Sequence, residues 1–379
     1  MALGARFSDN PVFDGIDRRR RGDRFAHRAR SLLDLTDISV TTIQACILLG
    51  TVSFSESQTQ SEALYYSVAI RLALILDLPN RPCDDTVDEQ VNLRIWWSLY
   101  MIDIWSSMGL NLPRQLEHIE IKGLPLSKEV SDLGQTTSVL WFEMVKLAQI
   151  WTRINQLNKE SVKSTYDSSS RLVDSLAQEL DGWNMALPST LQESAANLDH
   201  YASLGLGNAF AALHLGFHYY NEVLFYQFLA RGPDNTSNVS KYRTRCEDHA
   251  LAFCNLLYAC RPNSQSQCLY VMVGHMLVVT STIYIHMLLF STTTSKVHLA
   301  RQRLEQNFEI LTELQSYWVP LDVALSRLRV FHNACTRSIE ESFRMDQWML
   351  AFILEHGSAV GERRLGGDDT LREWFLQTF

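Results

Sequence analysis

Positions 94–103 read Arg94-Ile95-Trp96-Trp97-Ser98-Leu99-Tyr100-Met101-Ile102-Asp103. Bulky apolar side chains recur there at helical spacing, and neither Gly nor Pro interrupts them. The stretch therefore predicts a buried helix, which we place at residues 88–108. A carboxylate among aromatic rings must find a hydrogen-bonding partner. We expect Asp103 to pair with Arg71 or Arg94.

The same helical period continues on both sides of this stretch. It is clear in residues 40–50, 61–77 and 206–229, whereas no convincing strand-like alternation is seen. Clusters of Ser, Thr, Asn, Asp, Gly and Pro separate these segments, as expected for turns between helices. The sequence predicts an all-α fold, with one large domain over residues 1–379 that contains about ten or more helices, or two packed lobes around a buried central helix.

One segment is long enough to cross a membrane. Residues 269–290 are dominated by Val, Ile, Leu, Met and Tyr, and no Lys or Arg flanks them closely before Lys296. A helix that is apolar on all sides is also expected at the centre of a large helical core. We interpret the segment as that buried central helix and predict no membrane association.

Composition narrows the class of protein. The chain has 379 residues, of which 46% are apolar and 20% charged, with a formal net charge of −8. These values exclude a disordered chain and a small disulfide scaffold. The seven cysteines form no CxxC pair, so we expect no zinc ribbon and predict buried free thiols in a reducing compartment. The N-terminus lacks the pattern of a secretory signal.

Basic residues are concentrated near the N-terminus. Residues 18–30 contain seven arginines and one aspartate, and the rest of the chain is strongly acidic. That acidity argues against a broad nucleic-acid-binding face, which would need clustered Lys and Arg residues. The run Arg18–Arg21 has three interpretations: a solvated loop, a nuclear import signal or a contact with nucleic acid.

The sharpest catalytic candidate is the acidic stretch of residues 84–89. On a helix, Asp84, Asp85 and Asp88 would present carboxylates that hold Mg²⁺ on a diphosphate, as in class I terpene cyclases. Such an enzyme needs a second site, and the nearest candidates are Thr336 and Glu340, with His332 where Asn or Asp should stand. Alternatively, the acidic stretch is a loop that enters a helix N-terminus, where negative side chains offset the helix dipole.

Other candidate sites are weaker. His214, His218 and Glu222 are spaced to lie near one helix face and could bind a transition metal, or they are polar residues at the edge of a buried helix. The pair His332 and Cys335 resembles a thiol–imidazole pair, with chance as the alternative. The acidic stretch 368–373 is explained by a helix N-terminus. The sequence therefore assigns no catalytic, cofactor-binding or metal-binding residues.

Several segments, in chain order, follow the pattern of a known family: Ala2-Leu3-Gly4-Ala5-Arg6-Phe7-Ser8, residues 26–33, residues 42–50, residues 69–78 and the helix at 94–103. The doubled tryptophan, the tyrosine and the aspartate of the last segment have the spacing of that family. The chain resembles the fungal-specific transcription factor domain, the middle homology region that follows the Zn₂Cys₆ cluster in fungal regulators. The likeness is strongest over residues 1–125 and continues more weakly through most of the chain.

The resemblance implies a helical regulatory module in the nucleus. The family's zinc cluster has no counterpart here, and the sequence begins inside the family's first helix. We therefore expect an N-terminally truncated module without its own DNA-binding head, which reaches DNA only indirectly through a partner transcription factor or co-regulator. The resemblance also implies a homodimer, a small-molecule effector and control of a metabolic or secondary-metabolite gene cluster as candidate properties.

Two alternatives stay open at this stage. The helical scaffold could have been recruited as an enzyme, most sharply a Mg²⁺-dependent cyclase that uses Asp84, Asp85 and Asp88 with Thr336 and Glu340. The chain could also be an inactive fragment. The regulator hypothesis predicts that residues 84–89 lie exposed on the surface, whereas the cyclase hypothesis requires both groups to face one cavity.

Overall fold

Helices make up the regular structure in the computed structural model, which describes residues 1–83, 85–117, 132–162, 169–230 and 237–363. No strand occurs in these ranges, which confirms the predicted all-α class. Short 3₁₀ turns precede and connect the α-helices at Gly4–Phe7, Pro11–Phe13, Arg18–Arg20, Leu78–Asn80 and Tyr226–Leu229. The α-helices are α1 (Asp23–Leu32), α2 (Val40–Ser55), α3 (Thr59–Ile75), α4 (Thr86–Gly109), α5 (Asp132–Ser161), α6 (Ser169–Ala186), α7 (Ala195–Ser203), α8 (Gly207–Phe225), α9 (Ser237–Ala259), α10 (Val271–Phe290), α11 (Thr294–Gln315), α12 (Pro320–Arg337), α13 (Ile339–Ser342) and α14 (Gln347–Leu354).

Side-chain caps fix several helix starts. The Ser39 hydroxyl accepts the Thr42 N–H at 3.2 Å at the start of α2. Ser194 does the same for α7, and Asp346 for α14. Each cap satisfies one of the N–H groups that a helix N-terminus leaves without a partner, so these polar residues define where the helices begin.

Helix α10 is the centre of the core, as predicted for residues 269–290. By length and composition it could cross a membrane, but 78% of its most apolar window is buried inside the protein. Helices α8, α9, α11 and α12 pack around it. Its Ser and Thr hydroxyls donate to main-chain carbonyls of the same helix, for example from Ser281 to the Leu277 carbonyl at 2.6 Å. Core packing therefore explains why this helix has no polar face.

A stack of aromatic rings joins the first helices to this centre. Trp105 of α4 stacks on Trp151 of α5 with ring centroids 6.0 Å apart, and Trp151 stacks on Tyr220 of α8 at 4.4 Å. Buried apolar residues from Ile43 to Leu354 form one continuous cluster. The helices before and after residue 200 therefore share one core, in agreement with a single large helical domain.

Residues 1–22, here named the N-terminal strap, pack against two turns that are far apart in the sequence. Arg6 is 1% exposed, and its guanidinium donates to the Tyr317 carbonyl at 2.9 Å. The same side chain lies 3.6 Å from a Glu56 carboxylate oxygen and stacks over Trp318. Phe7 stacks on Tyr317 with centroids 4.8 Å apart. The strap thereby ties the α2–α3 turn to the α11–α12 turn.

A second buried arginine secures the C-terminal helices. Arg327 of α12 is 1% exposed and donates to main-chain carbonyls at the end of α14, including Ala351 at 2.8 Å and Ser358 at 2.6 Å. A cation at this end of α14 also opposes the negative end of the helix dipole. Burial lowers the pKa of Arg327 to about 10, which still leaves the side chain charged at neutral pH.

The strap yields a stability prediction. Replacing Arg6 with Ala removes a buried cation and leaves the Tyr317 carbonyl without this donor, so we expect the free energy of unfolding to fall by about 3 kcal/mol. The matched control is Arg20→Ala, because the Arg20 side chain is 78% exposed; we expect a change below about 0.5 kcal/mol there. Urea unfolding followed by circular dichroism measures both, and equal losses would contradict the role assigned to the strap.

Candidate interaction surface

The acidic stretch marks a helix start. Asp85 is the N-cap of α4 and accepts the Val87 N–H at 2.9 Å, while Asp88 lies exposed in the first turn. Negative side chains are stabilising at this position because of the helix dipole. Asp84 lies outside the described residues. Of the alternatives left open by the sequence, the exposed acidic helix start agrees with the observed geometry.

The second half of the cyclase hypothesis is not assembled either. Thr336 is exposed near the end of α12, and its hydroxyl donates to the Asn333 carbonyl at 2.8 Å. His332 is exposed on the same helix, and the side chain of Glu340 lies outside the described residues. A diphosphate site needs both groups in one shielded cavity. The described members instead face solvent, so the structure does not favour the cyclase.

The histidines of α8 lie close to the carboxylate of Glu193, which the sequence did not indicate as a partner. His218 Nε2 lies 2.7 Å from an oxygen of Glu193, and His214 Nδ1 lies 3.9 Å from the same oxygen. Glu222 instead accepts a hydrogen bond from Thr280 of α10 at 2.7 Å. At about 100° per residue, position i+8 is about 80° around the helix from position i, so Glu222 faces another neighbour than His214.

The combination of His214, His218 and Glu222 as metal ligands is therefore wrong. Within the described ranges, no group of three or more His, Cys, Asp or Glu side chains could hold a metal ion. Burial alone would raise the pKa of Glu193, but the hydrogen bond from His218 and the electrostatic interaction with that ring outweigh burial and lower it. Burial raises the pKa of Glu222 well above its ordinary value, and Glu222 serves the core as the acceptor of the Thr280 hydroxyl.

His332 and Cys335 do not resemble a thiol–imidazole catalytic pair. Cys335 is buried, and burial raises the pKa of its thiol, whereas His332 is exposed. A nucleophilic cysteine needs the opposite, a lowered thiol pKa and access to substrate. Chance spacing on one helix explains the pair.

Asp103 has a different partner from the two that we predicted. Its carboxylate accepts the Arg114 guanidinium at 3.2 Å, the Gln115 N–H at 2.9 Å and the Leu116 N–H at 3.0 Å. Arg114 also lies over the ring of Tyr100 at 5.3 Å. The aspartate of the tryptophan-rich helix therefore holds the chain that follows α4, and its arginine partner comes from that loop rather than from α3 or α4.

The arginine run is bound to the body of the protein. Arg18 lies over the Tyr317 ring at 5.1 Å, and Arg19 pairs with Asp322 at 2.9 Å. Arg21 donates to the main-chain carbonyls of Ser8 and Ile16, at 2.7 and 3.1 Å. These three half-buried side chains are therefore held by contacts, whereas Arg20 is exposed, as the solvated-loop interpretation expects. The nuclear import and nucleic-acid interpretations stay predictions, and both would require these contacts to open.

An apolar groove between α1 and α2 is the most prominent candidate for contact with another macromolecule. Its volume is about 570 Å³. Leu32 is 64% exposed and Leu48 is 59% exposed at this surface. Contiguous exposed apolar residues of this kind mark interaction sites more often than isolated ones do. The walls include Phe25, Ala29, Leu32, Leu48, Leu49 and Val52.

The family described as the fungal specific transcription factor domain matches residues 1–191, which is half of the chain. The chain therefore belongs to this family, as the segments quoted above indicate. The match covers α1 to α6, and thus includes the groove and the tryptophan-rich helix.

Two curated relatives agree with this assignment. The chain is 24% identical over 288 residues to an uncharacterized transcriptional regulatory protein of Schizosaccharomyces pombe, covering 63% of this chain and 29% of the relative. It is 24% identical over 251 residues to Activator of stress genes 1 of Saccharomyces cerevisiae, covering 60% of this chain and 26% of that protein. The alignments thus span less than a third of either relative. No solved structure matches the chain significantly.

The Asp103 site generates the first of two predictions here. Asp103→Ala leaves Arg114 buried without its partner and frees two main-chain N–H groups, so we expect a loss of about 3–5 kcal/mol in the free energy of unfolding. The control Glu341→Gln disrupts an exposed pair with Arg344 and should change stability by less than about 1 kcal/mol. Denaturant unfolding measures both, and a small loss for Asp103→Ala would contradict the assigned role.

The buried histidines predict a pH dependence. Burial lowers the pKa of His214 from 6.5 to about 4 and that of His249 to about 3. Below pH 6.5 the unfolded chain therefore binds protons that the folded chain does not, so stability falls as the pH falls toward 4.

His214→Gln keeps a donor for the Leu191 carbonyl but removes one of these protons. We expect the variant's stability to depend less steeply on pH, by up to about 1.4 kcal/mol per pH unit between the two pKa values. Urea unfolding at several pH values compares the two proteins. Identical slopes would show that His214 is not buried as a neutral group.

Proposed function

We propose that this chain is the regulatory domain of a nuclear transcription regulator that acts through a protein partner. The observation that carries the proposal is the family match over residues 1–191, together with relatives whose names describe transcriptional regulation. The acidic balance of the chain agrees with contact to DNA through a partner rather than through a basic face of its own.

The apolar groove between α1 and α2 is the surface through which we propose that the partner binds. Its exposed leucines and its open shape suit an amphipathic helix, which binds by placing its apolar face in such a groove. The partner is a second transcription factor or a co-regulator. A homodimer would use the same surface, and residues 1–379 would act as one regulatory unit.

Finer properties rest on the resemblance alone. They are the binding of a small-molecule effector and the control of a metabolic or secondary-metabolite gene cluster. Neither the described cavities nor the relatives' names identify an effector or target genes. We assign no catalytic residues, because the candidate carboxylates and histidines that the structure describes serve as a helix cap, as core hydrogen-bonding groups or as exposed side chains.

A tethered reporter assay tests this function. The full chain is fused to a heterologous DNA-binding domain in a fungal host, and transcription from a reporter is compared with that from the DNA-binding domain alone. We expect the fusion to change reporter output. No change would contradict a regulatory role for the chain.

Groove variants test the surface separately. We expect Leu32→Asp with Leu48→Asp to reduce the reporter response by roughly tenfold, because a charge prevents an apolar helix from docking. The matched control is Leu64→Asp on α3, where the side chain is 61% exposed but does not line the groove. Circular dichroism confirms the fold of each variant. Equal responses of the groove and control variants would exclude the groove as the binding surface.

A further inference from the structure

A small polar cavity lies where α9 meets the connection between α10 and α11. Its volume is about 240 Å³. Hydroxyl-bearing and charged side chains form most of its wall: residues 291–293, Arg243, Glu247 and Lys296. The cavity therefore gathers hydrogen-bond donors from α9, from this connection and from α11.

Packing of aromatic rings fixes the base of the cavity. His286 of α10 lines the cavity and is 2% exposed. Its ring packs against Phe290 with centroids 4.6 Å apart and against Phe343 at 4.9 Å. A base held by such contacts is largely formed before a ligand binds, as is usual for small-molecule sites.

The Arg243 guanidinium lines the cavity with unused donors. Arg243 is half-buried, and its Nε donates to the Phe228 carbonyl at 3.3 Å. Among the described residues, its two terminal nitrogens have no hydrogen-bonding or ion-pair partner. A guanidinium is a planar fork whose geometry matches two oxygens of a phosphate or a carboxylate. The Nε bond fixes the position of this fork, which leaves its ends available to an anion.

Lys296 supplies a second cation. Its Nζ donates to the Glu247 carboxylate at 2.7 Å, which holds the long side chain in place. An ammonium group has three donors, so two remain for another acceptor. Glu247 offsets the charge of Lys296, and Arg243 therefore leaves these three groups with a net positive charge. The cavity thus favours an anion that accepts several hydrogen bonds.

The connection between α10 and α11 adds hydroxyl donors. The Thr293 N–H donates to the Ser291 hydroxyl at 3.2 Å, so the chain turns tightly beside the cavity. The Thr293 side chain makes no capping hydrogen bond to α11, and it lines the cavity instead. A phosphate group has more acceptor oxygens than a carboxylate, so it matches a set of charged and hydroxyl donors better.

We propose that this cavity binds the phosphate group of a small molecule, either inorganic phosphate or a phosphomonoester. The Arg243 fork and the Lys296 ammonium bind phosphate oxygens, and the hydroxyls of residues 291–293 donate to the oxygens that remain. The volume of about 240 Å³ lies below the roughly 300–1,000 Å³ of sites for drug-sized ligands. The ligand is therefore small, and a nucleic acid or a protein helix does not fit.

The cavity is separate from the groove between α1 and α2. It also lies outside residues 1–191, which the family matches. Because Arg243 contacts the 3₁₀ turn that follows α8, a bound phosphate would link α8, α9 and α11. A ligand that binds only the folded chain stabilises it by mass action. The phosphate proposal does not depend on the proposed transcriptional function.

Phosphorus NMR titration of the full chain, in a buffer without phosphate, tests binding. The probes are inorganic phosphate and glycerol phosphate, a small phosphomonoester. We expect at least one probe to show saturable line broadening. Tighter binding of inorganic phosphate identifies free phosphate as the ligand, and tighter binding of the ester identifies a phosphorylated metabolite. The absence of saturable binding by both probes would overturn the proposal.

Two variants locate the binding. Arg243→Gln and Lys296→Gln each remove one cation, and we expect each to weaken binding of the preferred probe by roughly tenfold, as for the loss of a charged hydrogen bond. The Lys296 side chain is 47% exposed, so Lys296→Gln keeps the test decisive even if Arg243→Gln fails to fold. The matched control Arg261→Gln removes an arginine that pairs with Glu313 away from the cavity, and it should bind like the wild type. Unchanged binding by Lys296→Gln, or an equal loss in the control, would overturn the proposal.

Discussion

Helix α10 imposes the constraint on which the rest of the structure depends. A helix of 20 residues without a charged side chain has no face that favours water, so it must be covered on all sides. Four helices are packed around it, and they in turn present outer faces that further helices cover.

Such a thick helical core needs internal partners for its charged groups. Arg6 and Arg327 are both 1% exposed, and each donates to main-chain carbonyls. Asp103 is 3% exposed and accepts two main-chain N–H groups as well as Arg114. A well hydrogen-bonded buried charge adds little net stability compared with an apolar residue, but the loss of one of its partners is costly. Such charges therefore determine which turns pack against each other. They connect turns here, and none of them lies in a catalytic arrangement.

Local features of the sequence predicted local features of the structure. Helical periodicity and the uniformly apolar residues of α10 depend on neighbours within a few positions, and both predictions are confirmed. The partners of Asp103 and of the α8 histidines could not be read in this way. Arg114 reaches Asp103 because of the loop after α4, and Glu193 reaches His218 from before α7. Arg6 and Tyr317, which are 311 residues apart, carry no pattern that links them.

The chain is thus a member of its family with one continuous helical core and an exposed apolar groove on its surface. If α10 organises the whole domain, then the family-matched helices and the C-terminal helices unfold together. Native-state hydrogen exchange with mass spectrometry, measured over increasing denaturant, tests this claim most directly. We predict that buried amides of α2, α4, α8 and α10 converge on one opening free energy. Opening of α2 and α4 at a much lower free energy, while α8 and α10 stay protected, would contradict it.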